Sequence, residues 1–105
     1  MATDWDSVKT SLINAAKGVL GGTWSAASTG VTAQVASLVQ IAQYVEQNKG
    51  NMTPEEVSHL GDQQKLALQV VLTTYEAIGL ALAQNAVAAV FTTLLQAVPV
   101  LAGFA

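Results

Sequence analysis

The side chains able to do chemistry are few, and they stand close together in the chain. Ser58 and His59 are neighbours, with Glu55, Glu56 and Asp62 around them. A serine–histidine pair suggests nucleophilic attack with general-base help, and clustered carboxylates suggest acid–base work or a cation site. The spacing disfavours both. Adjacent helical residues point about 100° apart, so Ser58 and His59 do not face each other. One histidine without any cysteine does not make the usual tetrahedral zinc site. Glu55 and Glu56 follow Thr53-Pro54, which reads as a helix start with a solvated acidic first turn. The glycines of Gly18-Val19-Leu20-Gly21-Gly22 lack the Lys-Ser/Thr ending of a phosphate loop and follow no strand. Gly18 and Gly22 form a Gly-xxx-Gly pair, a packing face in lipid and a hinge in water. The sequence therefore points to no enzyme, no catalytic residue, no metal and no cofactor.

Composition narrows the remaining classes. Charged residues make up 10% of the 105, hydrophobic residues 51%, and the net charge is −3. All four cationic side chains are lysines and there is no cysteine, so a disulfide framework is excluded and nucleic-acid contact is not expected. A chain of this length buries only about two-thirds of its surface alone, so the apolar excess predicts burial against other subunits or lipid. Asp4 and Asp6 stand where a secretory leader would carry positive charge, so no signal peptide is expected.

The elements follow from charge and periodicity. Charged side chains mark the N-terminal stretch and the middle, while residues 18–45 and 77–105 carry none. Thr3 as cap, Asp4 and Asp6 in the first turn, and an apolar repeat at Trp5, Val8, Leu12, Ala16 and Val19 predict a helix over about 4–20. Gly18, Gly21 and Gly22 are expected to end it. A second helix over about 25–48 carries Val31, Val35, Leu38, Ala42 and Val45 on one face and glutamines with serine on the other. Gly50 is expected to end it with positive φ. Thr53, Pro54 and Glu56 then form a capping-box start, the strongest local signal in the chain. No proline follows until Pro99, so one helix over about 54–97 is expected, with Leu68, Val71, Tyr75, Ile78 and Leu82 in one stripe.

The run from Ile78 to Val98 has the length of a bilayer crossing. Ala81, Asn85, Ala88, Thr92 and Gln96 share one helical face, and Val87, Val90, Phe91, Leu94 and Val98 fall on or near the other. A small, polar stripe opposite a bulky one fits a packed or pore-lining membrane helix, or a buried helix of a soluble bundle. Trp5 and Trp24 flank the first apolar segment, at a lipid interface or as core anchors.

Short length, abundant Ala, Val, Thr and Gln, absent Cys and the 78–98 run are similar to the small helical proteins of tailed phages, the holins and the internal virion proteins ejected into the host envelope. The glutamine-rich face of residues 34–47 suits a virion component better than a holin. Chain length and the turn at 48–54 are also similar to small secreted helical hairpins with a Trp-x-Gly turn, although that tripeptide is not in the turn here. The phage resemblance implies a virion protein that also meets the host cell membrane.

The expected fold is all-α: a short N-terminal helix followed by a long antiparallel helical hairpin, forming a homo-oligomer. The expected packing surface is Val31, Val35, Leu38, Val45, Leu68, Val71, Tyr75, Ile78 and Leu82. The expected membrane or pore face is Ala81, Asn85, Ala88, Thr92 and Gln96. The expected function is a non-enzymatic assembly protein of a phage particle, self-associating and entering or lining a passage through a host membrane. Its partners would be further copies, a lipid bilayer or other virion proteins. The alternative is a soluble helical-hairpin module binding a helical partner protein.

Overall fold

A computed structural model describes residues 3–104. It is all-helical, with four α-helices: α1 (Trp5–Leu20), α2 (Trp24–Asn48), α3 (Pro54–Thr73) and α4 (Leu80–Ala97). Short 3-10 turns lie at Gly21–Thr23 and Lys49–Asn51, and a 3-10 segment, Pro99–Phe104, follows α4. Each helix packs against the next, and α4 closes the ring against α1, the most extensive helix pairing in the molecule. Two elements from opposite ends of the described chain thus form the principal seam.

Local chemistry explains most boundaries. Asp4, rather than Thr3, caps α1: its carboxylate accepts the Ser7 N–H at 3.1 Å. The carboxylate fills an orphan donor and also faces the positive end of the helix dipole. Thr3 instead donates its hydroxyl to Glu46 at 2.6 Å, tying the start of the chain to α2. Gly21 ends α1 with φ 53°, a conformation that glycine adopts without a Cβ penalty. Gly50 has no positive φ, contrary to expectation; Lys49–Asn51 leaves α2 through a 3-10 turn closed by Met52 N–H to Lys49 C=O. A 3-10 turn satisfies the last carbonyls without a left-handed residue.

The capping box is present in full. Thr53 Oγ1 accepts from Glu56 N–H at 3.1 Å, and Glu56 Oε1 accepts from Thr53 N–H at 2.9 Å. Thr53→Ala is expected to cost about 1 kcal/mol, seen as a lower urea midpoint with an unchanged slope. A midpoint equal to the parent's would show the box to be inert.

The single helix expected over 54–97 is broken at residues 74–79. Thr73 Oγ1 donates to the carbonyls of Gln69 and Val70, and Thr74 Oγ1 donates to Val71 C=O at 2.6 Å. These hydroxyls compete for the carbonyls of the last turn and favour its end. Tyr75 and Ile78 then bracket a tight turn, with Ile78 N–H donating to Tyr75 C=O at 3.0 Å. Ile78 is buried in the core, and Gly79 enters α4 in extended conformation. Folding back buries the bulky side of α4 on α1, which an unbroken rod would leave in water.

The core is one apolar cluster drawn from all four helices and the C-terminal segment. Among the described residues no polar or charged side chain is buried. Gly61 is a close-approach point: a Cβ there would lie 2.9 Å from Phe104 Cα. Phe104 occupies that notch, and Lys49 Nζ donates to Val100 C=O at 2.6 Å, so side chain and backbone both fasten the segment after α4.

Candidate functional site

The residues with chemical potential are placed by α3 on its outer surface. Glu55, Glu56, His59 and Asp62 are exposed and Ser58 is half-buried. The Glu56 carboxylate is engaged in the capping box. His59 borders a shallow depression with Tyr44, Met52, Glu56 and Leu60. Among the described residues, no group of three His, Asp or Glu side chains is gathered closely enough to hold a metal ion.

The packing residues expected from periodicity divide into two sets. Val31, Val35, Leu38, Val45, Leu68 and Ile78 are buried, whereas Val71, Tyr75 and Leu82 are half-buried at the margin of the core. Their stripe does not run along one helix: Leu68 and Val71 belong to α3, Ile78 to the turn and Leu82 to α4. Leu72 is fully buried, so the core line of α3 runs through Val57, Gly61, Leu68 and Leu72. The seam between α2 and α3 is tight where a Cβ at Gly30 would overlap the Tyr75 hydroxyl and approach Val71 Cγ1 to 3.2 Å. Trp5 and Trp24 are half-buried and pack against the core.

The two faces of α4 separate as the sequence indicates, and the tertiary structure assigns their surroundings. Ala81, Asn85, Ala88, Thr92 and Gln96 are all exposed. Val87, Val90, Phe91 and Leu94 point into the bundle and are buried, as is Val98 just beyond the helix. The bulky side therefore meets the chain's own core in this fold. α4 is uncharged for 18 residues with a mean hydropathy of 1.4, long and apolar enough to cross a membrane by length and composition.

Between α3 and α4 lies an open groove of about 420 Å³. Lys65 and Gln69 line it from α3, and Gln84, Ala88, Thr92 and Leu95 from α4, over the edge of Phe91. The Lys65 ammonium sits 5.4 Å from the Phe91 ring centroid, within reach of a cation–π attraction. Sequence reasoning did not single out Lys65 or Gln69. Their four-residue spacing was a signal that they share a face, but nothing local showed that α4 would fold against it. Farther round α3, Leu66 and Val70 are 61% and 54% exposed, an apolar pair that follows His59 and Asp62 on the outward side. Comparison with family models, curated proteins and solved structures found no match.

Proposed function

We propose that this chain is a non-enzymatic helical assembly protein, an up-and-down bundle that self-associates, with a tailed-phage particle as its setting and the host envelope as the membrane it meets. One observation carries the assembly reading: the outward face of α4 has no charged side chain along 18 residues, about 27 Å of helix. Helices that face only water generally place charged residues on that side. Ala81, Ala88 and Thr92 let a neighbouring backbone come close, while Asn85 and Gln96 offer amide donors and acceptors to a like surface. The exposed glutamines at 40 and 47 and Ser37 repeat this uncharged polarity on a separate surface, that of α2.

A second reading, a soluble module that binds a helical partner, is favoured by the inward orientation of Val87, Val90 and Leu94. Lipid would require those side chains on the outside.

Light scattering across a concentration series, with and without detergent, tests the proposal. The expected result is a mass that rises above the monomer with concentration. Asn85→Ala is expected to weaken association several-fold while leaving the unfolding midpoint unchanged, since Asn85 is exposed. A parent chain that stays monomeric at millimolar concentration, with or without detergent, overturns self-association. Vesicle leakage at equal concentration separates assembly on a membrane from assembly among proteins alone.

A further inference from the structure

We propose that the assembly unit is an exchanged dimer, in which α4 leaves its own bundle and occupies the same seat in a second copy of this chain. The inference rests on the self-association reading above and names the unit that associates: the inward side of α4 joins two chains, and the uncharged outward face, which exchange leaves exposed, brings such units together. It starts from the contrast between two properties of residues 74–79. The turn they make is tight, yet nothing in their backbone demands a turn. No residue there has positive φ, none is proline, and Thr74 still has helical angles at φ −71° and ψ −18°. Gly79 has φ −76°, and a Cβ on it would meet nothing within 4 Å, so glycine is not sterically required.

The same residues can therefore continue α3 into α4 without backbone strain. A continuous helix over 54–97 would be about 66 Å long, against a longest dimension of 41 Å for the folded molecule. Straightening would carry α4 clear of its own α1. Val87, Val90, Phe91 and Leu94 would then be bare, and the vacated seat along α1 and α3 would be bare as well. A second copy opened in the same way offers a seat of identical shape for each α4. Reciprocal exchange recovers the α1–α4 seam, and Phe104 can reach the partner's Gly61 notch at the far end of the same arm. Closed two-fold exchange of an identical element is a low-cost route to a dimer, because the contacts are those the monomer already makes. The short hinge favours it. The occupant is thus a second copy, since only an α4 reproduces the apolar pattern this seat already holds.

The chain has no cysteine, so two can be placed at will. Gln69→Cys with Gln84→Cys puts spin labels on residues that line one groove in the folded monomer. The doubly labelled chain is refolded with a large excess of unlabelled chain, the dimer fraction is isolated, and the distance within a chain is measured. Exchange predicts a backbone separation of about 22 Å, the length of 15 helical residues, longer than in the monomer.

Two hinge variants accompany the measurement. Glu76→Pro suits the second position of the turn but breaks a continuous helix. Insertion of Gly-Ser-Gly after Ala77 lengthens the turn without a demanding backbone, and serves if the proline variant does not fold. Both should leave the monomer and abolish the dimer. Gly79→Ala should strengthen dimerisation about five-fold per hinge by favouring the helical state. A dimer whose intrachain distance equals the monomer's, and which persists in both hinge variants, overturns exchange and leaves self-association standing. Absence of any dimer of the parent chain overturns both.

Discussion

Val90→Lys is expected to abolish the cooperative fold in aqueous buffer. Val90 has no exposed surface and lies on the inward side of α4, among Ala86, Val87 and Leu94. With no polar or charged side chain buried among the described residues, an ammonium introduced there finds no buried partner. An uncompensated buried charge costs about 3–5 kcal/mol, a large share of the roughly 5–15 kcal/mol by which small domains are stable. Circular dichroism should retain helix while the thermal transition broadens and a hydrophobic dye binds, the behaviour of a compact state without fixed packing. Asn85→Lys, five residues earlier on the exposed side, should shift stability by no more than about 0.5 kcal/mol. If the Val90 variant instead unfolds as sharply as the parent, the inward orientation of this face is wrong and an outward, lipid-facing role becomes the better reading.

Phe104→Ala is expected to cost about 3–5 kcal/mol, the range for truncating a buried phenylalanine. Phe104 is 1% exposed, its ring centroid lies 6.4 Å from that of Phe91 at an interplanar angle of 42°, and it covers Gly61. Its loss opens a cavity where α3, α4 and the C-terminal segment meet. Gly61→Ala probes the same notch from the other side. In the parent its methyl would press on Phe104 Cα and ring, so it should destabilise; in the Phe104→Ala background it should cost less. Urea denaturation of the two single variants and the double variant gives the coupling directly. Additive costs would show that residues 61 and 104 do not meet in solution.

Features set by neighbours along the chain were legible from residue types. Thr53, Pro54 and Glu56 specify the start of α3, and Gly21 specifies the end of α1, because caps and left-handed turns are satisfied within a few residues. The stripe Val31, Val35, Leu38, Ala42 and Val45 is buried throughout, as its spacing requires. The separation of Asn85, Thr92 and Gln96 from Val90 and Leu94 was equally readable, since helical periodicity alone puts them on opposite sides.

What each face meets was a different matter. Periodicity names a bulky side of α4 but is silent on whether lipid, another copy or α1 covers it. The break at 74–79 was signalled only by two threonines and a glycine, each compatible with a continuing helix. Its outcome depends on the apolar area that α4 buries by returning to α1, a gain spread over residues some seventy positions apart. The roles of Gly61 and Phe104 were invisible for the same reason: a glycine in a helix looks like a weakness until a distant aromatic ring is seen to need the space. Composition and local spacing determined that this protein is helical, where three of its helices begin and which sides are apolar. The tertiary structure alone decided that α4 turns back, that its bulky side is spent on the chain's own core, and that an uncharged face is left outside, because those choices compare burial among whole helices rather than preferences within one.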